Sequence, residues 1–450
     1  MKSKTKILEI AIVLCLVLLV SMSTLPGIAA DQNQEMQKVS ASEVTAVLEI
    51  YGNANEDNTI DMRDFTYTAR IICWLEEETD LADANYDGRI SVADMTQIGL
   101  IILGRESELT LSDSADRTVT IYKPVERVVI AYWIDTAVTL QALKAEDTVV
   151  GVTDVIKDET ILFPELSKLP SVGSDPDPAA LDFEKILELR PDMVFTGGSS
   201  ANPTAYEEIA RRIHSVNPDI AVIFFTFCDP VLYIEEVRKT GYIFDRKEEA
   251  EELIKFIEEH LNEIKEKVSN IPEDMRPKVY YEFFFDYYTS GEGTTFGGDI
   301  ETAGGKNVFD DLSGFGYSLI PMDPEEVINR TPEVIIHHVG GAYAGQVGWG
   351  TDDVTALRDK REEIMNRPGF AAIPAVKSGS VYTLASDVVL SPLYPVGIAY
   401  YAKWFYPELF EDLDPNAIHQ EYLTKFLRID YDLSRHGVFV YHPEQHPDGR

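Results

Sequence analysis

The chain has 450 residues, of which 45% are apolar, enough for two or three domains with their own cores. Acidic residues outnumber basic ones by 77 to 39, so the formal net charge is −38 at pH 7. This charge argues against nucleic acid and against anionic membrane surfaces as partners. The sequence holds three cysteines, and their placement indicates no disulfide framework.

Residues 1–30 have the pattern of a secretory signal: lysines near the start, an apolar run from Ile10 to Val20, and small residues at the end. The run is too short to span a bilayer comfortably. Cleavage is one reading, and an uncleaved anchor that recruits flanking apolar residues is the other. Cys15 lies inside the run and is poorly placed to carry a lipid. We expect a secreted, extracellular protein that is associated with the cell surface.

Two acidic loops, residues 53–64 and 83–94, follow in the same register. Each has oxygen-bearing side chains at alternate positions, the pattern that Ca²⁺ requires. The predicted calcium ligands are Asn53, Asn55, Asp57, Thr59, Asp61 and Asp64 in the first loop, and Asp83, Asn85, Asp87, Arg89, Ser91 and Asp94 in the second. Arg89 needs to offer only its backbone carbonyl. The first loop begins with a neutral residue and lacks the usual central glycine, so we expect weaker binding there.

Each loop precedes an amphipathic stretch, and these predict helices over residues 65–75 and 95–103. The duplicated loop-and-helix pattern resembles a type I dockerin, and we assign residues 42–105 to a small all-α, calcium-binding, dockerin-like domain. The resemblance implies a partner that bears a cohesin module, on a scaffold or a surface. The positions that set partner choice in dockerins hold Met62-Arg63 and Val92-Ala93 instead of the common Ser/Thr pairs, which leaves the cohesin type open.

The remainder of the chain predicts an α/β region. Residues 106–116 have the composition of a polar linker, and residues 117–244 alternate strand and helix patterns, which we assign to an N-terminal lobe. From residue 245 to residue 268 the apolar side chains recur at steps of three and four, which predicts a single helix roughly 36 Å long. We interpret residues 245–271 as a helix that bridges two lobes. Residues 272–430 then form the C-terminal lobe, and 431–450 a tail.

An internal repeat indicates that the two lobes are similar. Residues 181–196 and 322–337 align without gaps, each with an Asp, a short amphipathic helix, a Pro and a buried strand. Glu184 and Glu325 fall on equivalent positions. The alternative is that helix-Pro-strand units are simply common in α/β proteins. Placement of the two copies on either side of the bridging helix favours two similar α/β lobes.

The sequence contains no GxSxG, HExxH or Walker motif, so we expect no covalent chemistry and no enzyme activity. In open α/β sheets, ligands bind beyond the carboxyl ends of the strands. Aromatic residues gather in the predicted strand-end loops, where they can stack on a large, flat or apolar ligand. Lysine and arginine are scarce there, which argues against a highly anionic ligand. The candidate cleft residues are Tyr132, Trp133, Phe227, Tyr287, Tyr288, Tyr343 and Trp349, with core packing as the alternative for each.

From Arg117 to Asp430 the chain resembles the solute-binding proteins of ABC transporters for ferric siderophores, haem and cobalamin. Segments that carry the resemblance include VVGVTD, FEKILELRPDMVF, PEEVINRTPEVII and YAKWFYPELF. The resemblance implies a class III periplasmic-binding-protein-like fold, with two lobes that hinge little and bind ligand between them. It also implies that Glu184 and Glu325 dock onto arginines of the membrane permease. A favourable interaction with the helix dipole is the alternative role for these two residues.

We therefore expect a monomeric solute-binding protein that captures an iron chelate or a cobalamin-type ligand for an ABC importer. Its dockerin-like module would bind Ca²⁺ and tether it to a cohesin. Two alternatives are a scaffold-borne hydrolytic enzyme, which needs paired carboxylates or a nucleophile in the cleft, and a surface adhesion module, which needs no ligand.

Overall fold

The computed structural model describes residues 47–197, 203–316, 319–340 and 345–450. The predicted signal segment, residues 1–30, lies outside the described residues. The chain divides into two compact units, Met1–Glu106 and Ser107–Arg450. Within the described ranges, no helix combines the length and the apolar character needed to cross a membrane.

The described part of the first unit contains the helices α1 (Met62–Ile72) and α2 (Val92–Leu103), which pack against each other. Both begin a few residues earlier than their apolar pattern predicts. The reason is a capping box at each start: the N-cap residues Asp61 and Ser91 accept from the backbone, while Asp64 and Asp94 accept from the N-cap N–H. The last residues of each acidic loop therefore already belong to the helix.

The second unit opens with an antiparallel pair of strands, β1 (Glu108–Ser112) and β2 (Thr118–Tyr122). The prediction of a linker over residues 106–116 was therefore wrong. Leu109 and Leu111 are completely buried, and the burial of these alternating apolar side chains outweighs the polar composition of the segment.

A four-stranded parallel sheet in the order β4-β3-β5-β6 forms the centre of the N-terminal lobe. Its strands are almost entirely apolar, as expected where helices cover both faces of a parallel sheet. The elements of this lobe are β3 (Val128–Ile130), α3 (Ile134–Ala142), β4 (Val149–Val152), α4 (Asp154–Asp158), α5 (Phe183–Glu188), β5 (Met193–Thr196), α6 (Pro203–His214), β6 (Ala221–Phe224) and α7 (Pro230–Ile243).

The bridging helix, α8 (Lys247–Val268), confirms the predicted long helix with one buried stripe. Its 22 residues span about 33 Å. It packs on α7 of the N-terminal lobe and on a helix of the C-terminal lobe, so it joins the two bodies. The buried residues of α8 are Ala250, Leu253, Ile254, Phe256, Ile257, Leu261, Ile264 and Val268.

The C-terminal lobe holds a five-stranded sheet in the order β10-β7-β13-β14-β15, parallel except for its last strand. The strands of the whole lobe, including those outside this sheet, are β7 (Lys278–Phe283), β8 (Tyr288–Thr289), β9 (Glu292–Thr294), β10 (Lys306–Asn307), β11 (Ser313–Gly316), β12 (Ile320–Pro321), β13 (Val334–Val339), β14 (Val381–Ala385) and β15 (Val440–Tyr441). Its helices are α9 (Thr295–Thr302), α10 (Pro324–Arg330), α11 (Thr355–Met365), α12 (Pro374–Ser378), α13 (Tyr394–Phe405) and α14 (Pro415–Tyr422). Helix α13 is the one that packs on α8.

The prediction that residues 431–450 form a tail outside the C-terminal lobe was wrong. Its strand β15 pairs antiparallel with β14 and closes one edge of the sheet. The cause is the apolar run from Val438 to Tyr441, which is buried along its whole length. Next to it, His442 is also buried and stacks on Tyr382, with ring centroids 4.8 Å apart.

Candidate functional site

A cavity of about 440 Å³ lies between the two lobes. Residues that follow the carboxyl ends of three parallel strands line it: Tyr132 and Trp133 after β3, Phe284 after β7, and Ser386 and Asp387 after β14. This is the position at which open α/β sheets bind ligands. Most of the remaining lining is aliphatic and comes from both lobes: Ile134, Val138, Leu162, Leu390, Leu393 and Leu427.

Three of the predicted cleft aromatics line the cavity, namely Tyr132, Trp133 and Trp349. Trp133 is 42% exposed and presents the most accessible of these rings, whereas the other two are nearly buried. Trp349 is held by edge-to-face packing on Phe439, and the hydroxyl of Tyr431 donates to its backbone carbonyl at 2.7 Å. The arrangement can stack on a flat or apolar ligand, and contact with a ligand stays a prediction.

The prediction that Phe227 lines the cleft was wrong, because its side chain is completely buried and packs edge-to-face on Phe225 and Tyr233. Glu236 explains its position: this buried carboxylate accepts the backbone N–H groups of Thr226 and Phe227, at 2.7 and 2.6 Å. The chain therefore turns into the core directly after β6, and the ring follows it away from the cavity.

The side chains of Tyr287 and Tyr288 also lie away from the cavity lining, contrary to the prediction. Tyr287 packs on Phe370 beneath the guanidinium of Arg367, which lies 4.6 Å from the ring centroid. Tyr288 belongs to the short strand β8, and its ring contacts Phe285. Tyr343 lies outside the described residues.

The sequence analysis missed Phe284, Ser386 and Asp387. The strand β7 ends at Phe283, and Phe284 takes a left-handed φ of 58°, a turn that no sequence pattern here indicates. A glycine directly follows each of the two repeated strands, at Gly197 and Gly340, and this is the signal that the sequence offers for such residues. A Cβ at Gly197, after β5, would lie 2.4 Å from the ring of Tyr132, and one at Gly340, after β13, would lie 2.2 Å from the ring of Phe284. Both glycines leave room for a cavity side chain.

Carboxylates are the charged groups of this cavity. Asp387 accepts a hydrogen bond from the Trp349 side chain, and burial raises its pKa to about 6. Burial also raises the pKa of Glu159, with a further contribution from the negative charge of Asp387. Asp135 lines the N-terminal side. Burial holds the pKa of Tyr132 well above its usual range, so its hydroxyl stays neutral.

The structure places Glu184 and Glu325 equivalently, each exposed in the first turn of a short helix. Asp182 and Asp323 are the N-cap residues of these helices and accept backbone N–H groups at 2.9 and 2.8 Å. The carboxylates of both glutamates are therefore accessible on their respective lobes. Their contact with a permease stays a prediction.

The second acidic loop gathers oxygen atoms around its own backbone. The N–H of Gly88 donates to Asp83 at 2.8 Å, and the N–H of Asn85 donates to Asp94 at 3.1 Å. Burial raises the pKa of Asp94, and the charges of Asp83 and Asp87 raise it further. A cation among these carboxylates would relieve their repulsion, so the donor set fits Ca²⁺.

In the first acidic loop, Asn53 Oδ1 is buried without a hydrogen-bond partner, and burial raises the pKa of Asp64 to about 6. Both features fit an oxygen-lined cation site. Arg63, however, pairs with Asp57 and Asp61 at 2.9 Å each, so its guanidinium competes with a cation. Weaker Ca²⁺ binding in this loop stays a prediction.

The other predicted calcium ligands stabilise the loop backbone. The Asn55 side chain donates to a loop carboxylate at 2.9 Å, Thr59 and Arg89 each donate a backbone N–H to the aspartate two residues earlier, and Ser91 caps α2. Across the described ranges, no three His, Cys, Asp or Glu side chains come close enough together to hold a metal ion by themselves. Any cation here would therefore also need amide, hydroxyl or carbonyl oxygens.

Residues 129–388 match the family model described as periplasmic binding protein. The chain belongs to this family, and it is a solute-binding protein of the kind that serves ABC transporters, not an enzyme. The α/β lobes and the cavity between them are what such a protein requires. The expectation of an α/β solute-binding protein is confirmed by this family match.

Three curated relatives are similar to this chain, and the two whose names give a ligand name different ones. An uncharacterized ABC transporter substrate-binding lipoprotein, YvrC of Bacillus subtilis, is 26% identical over 67% of this chain and 87% of its own length. The molybdate-binding protein MolA of Haemophilus influenzae is 25% identical over 71% of this chain and 91% of its own. A cobalamin-binding protein of Halobacterium salinarum is 29% identical over 50% of this chain and 58% of its own.

Solved structures support the fold. The TroA-like periplasmic binding protein FepB from Veillonella parvula superposes with a TM-score of 0.59 at 24% identity, and the match covers 74% of this chain and 99% of that one. Molybdate-bound MolA superposes with a TM-score of 0.58 at 24% identity, over 72% of this chain and 99% of that one.

Proposed function

We propose that this protein captures an iron chelate or a cobalamin-type corrinoid between its lobes and delivers it to an ABC importer. The observation that carries the proposal is the cavity of about 440 Å³ with two tryptophans, Trp133 and Trp349, in a mainly aliphatic lining. Cavities with this mainly apolar lining suit organic ligands with apolar surface. A small oxyanion such as molybdate would instead need convergent cationic or N–H donors.

Calorimetric titration of the full chain with cobalamin, haem, several ferric siderophores and molybdate tests this proposal. One large ligand should bind tightly, and molybdate should not. Trp133→Ala and Trp349→Ala should each weaken that binding by about tenfold or more, because each removes a large apolar contact. Trp74→Ala is the matched control, since Trp74 is 90% exposed and lies in the other unit. Tight binding of molybdate alone would reject the proposal.

The permease contact is proposed for Glu184 and Glu325, on the support of their equivalent exposed positions. The double variant E184Q/E325Q should bind ligand normally but lose most of the transport measured with the cognate permease in vesicles. Glu188→Gln is the control, because Glu188 is an exposed acidic residue on the same helix as Glu184. Normal transport by the double variant would leave only the helix-dipole role.

For the first unit we propose a dockerin-like function: Ca²⁺ binding that presents a surface to a cohesin and tethers the protein near its importer. The crowded carboxylates of the second loop support the Ca²⁺ site. Calcium titration of the full chain should show a tighter and a weaker site, and Asp94→Asn should abolish the tighter one while Glu78→Gln, an exposed change outside both loops, should not.

Deleting residues 42–105 should release the protein from the cell surface. Unchanged retention would reject the tether.

A further inference from the structure

The charges around the ligand cavity have one sign. Asp387 lines the cavity from the C-terminal lobe and Asp135 lines it from the N-terminal lobe, and the charge of Asp387 also acts on Glu159 of the N-terminal lobe. The described residues that line the cavity include no Lys, Arg or His.

The basic residues adjacent in sequence to this region are engaged elsewhere. Lys157, two positions before Glu159, donates to the backbone carbonyls of Ser167 and Leu169 at 3.0 and 2.5 Å. Arg428 follows the cavity residue Leu427, but its guanidinium donates to the Gln141 carbonyl and to Glu146, at 2.7 and 2.6 Å. Neither side chain neutralises a cavity carboxylate.

The groups that act on the acidic pair are themselves neutral or acidic. Asp387 is half-buried and accepts from the Trp349 side chain, and its negative charge acts on Glu159, which belongs to the N-terminal lobe. The charges that act on Glu159 are those of Asp387 and Asp158. An ionised carboxylate in a mainly apolar cavity is costly unless a cation or an N–H donor meets it. Trp349 supplies an N–H donor to Asp387, but the described lining holds no cationic side chain, so a bound ligand is the group that can supply the positive charge.

We propose that this cavity selects chelates or corrinoids that present a positive charge or N–H donors to Asp387 and Glu159, and that it rejects anionic ones. This inference rests on the proposed function and narrows it to neutral and cationic ligands. A ligand carboxylate or phenolate placed beside Asp387 would meet a like charge in a poorly solvated site, which opposes binding. An ammonium or amide N–H in the same place would form a charge-assisted hydrogen bond.

The affinity for charged ligands should depend on pH, and its sign follows from the titration of Asp387. Because the pKa of Asp387 in the free protein is about 6, its carboxylate is ionised at pH 8 and largely protonated at pH 5. A cationic ligand should therefore bind more weakly as the pH falls from 8 to 5. An anionic ligand should show the opposite trend, since protonation removes the repulsion.

A series of ferric trihydroxamates that share one iron cage tests the effect of charge at the pendant amine. Ferrioxamine B carries a free ammonium, its N-acetyl derivative is neutral there, and its N-succinyl derivative carries a carboxylate. Binding to the full chain is followed by quenching of tryptophan fluorescence at pH 8. Affinity should fall in that order, with at least about a tenfold difference between the first and the last. A corrinoid with amide side chains and its carboxylate counterpart form a second matched pair.

Asp387→Asn and Glu159→Gln should each remove part of the difference in affinity between cationic and anionic chelates, and the double variant should remove most of it, with near-ultraviolet circular dichroism verifying an unchanged fold. Glu165→Gln, a highly exposed change in the same lobe, should leave the difference as it is. Tighter binding of the anionic members, or a charge preference unchanged in the double variant D387N/E159Q, would overturn the inference alone. If no chelate or corrinoid of either charge binds, the proposed function itself fails, and the inference fails with it.

Discussion

Arg367 donates from Nη1 to both carboxylate oxygens of Glu282, at 2.8 and 2.9 Å, and both side chains are buried in the C-terminal lobe. The same guanidinium donates from Nη2 to Asp286 at 2.8 Å. Glu282 also accepts the backbone N–H of Tyr287. Asp286 and Tyr287 follow Phe284, so this ion pair fastens the loop that carries a cavity residue to the central sheet.

Replacing Arg367 should strongly destabilise the protein. Arg367→Met leaves the Glu282 carboxylate buried without its cation, and breaking a buried pair in this way costs about 3 to 5 kcal/mol of unfolding free energy. Urea denaturation of the full chain measures this loss. Arg358→Met is the control, because Arg358 is an exposed residue of α11 paired with Asp359 and should cost less than about 1 kcal/mol. Equal losses in the two variants would contradict the role assigned to Arg367.

The ion pair between Glu282 and Arg367 should also make the free energy of unfolding depend on pH. Burial alone would raise the pKa of Glu282. The hydrogen bonds and the positive charges that His337 and Arg367 direct at this carboxylate outweigh burial and lower its pKa to about 2. Because the folded pKa lies below the unfolded value of 4.5, the stabilisation is present above that value and is lost as the pH falls through about 2. Urea midpoints between pH 7 and pH 2 should fall steeply at the acid end. Glu282→Gln should flatten that slope, and an unaltered slope would refute the assignment.

Asp387 should have the opposite effect on stability. Its folded pKa, about 6, exceeds the ordinary value of 3.8 because burial disfavours the charged form. Its favourable contribution is therefore present below the ordinary value and is lost as the pH rises through about 6. Asp387→Asn should raise the unfolding free energy at pH 7.5 by about 1 to 2 kcal/mol, allowing for partial solvent screening, and should give no gain at pH 3.5. The exposed change Asp158→Asn is the control, and a loss of stability at pH 7.5 in D387N would contradict the argument.

The sequence predicted the lobes well because their signals are periodic. The apolar stripe of α8 and the repeat around Pro191 and Pro332 each involve many residues, so no single error changes the conclusion. Individual cavity residues depend instead on where a strand ends. One misplaced residue directs a side chain to the other face of the sheet, and a left-handed turn such as that at Phe227, where φ is 48°, redirects the chain altogether. Such turns depend on partners distant in sequence, as Phe284 and Phe227 illustrate.

The repeated glycines connect the fold to the cavity, and this connection is testable at Gly340. A Cβ there would lie 2.2 Å from the ring of Phe284 and 2.5 Å from Ser386 Oγ, two groups that line the cavity. Gly340→Ala should therefore displace them, weaken ligand binding by about tenfold or more, and cost about 1 to 3 kcal/mol of unfolding free energy.

Gly350→Ala is the matched control for that substitution, because a Cβ at Gly350 meets no atom within 4 Å. Calorimetry with whichever chelate or corrinoid binds the parent protein, together with urea denaturation, measures both effects. Since Gly340 follows β13 as Gly197 follows β5, Gly197→Ala should weaken binding as well, through the ring of Tyr132. Undiminished affinity in both alanine variants would show that neither ring needs its present position for the ligand to bind.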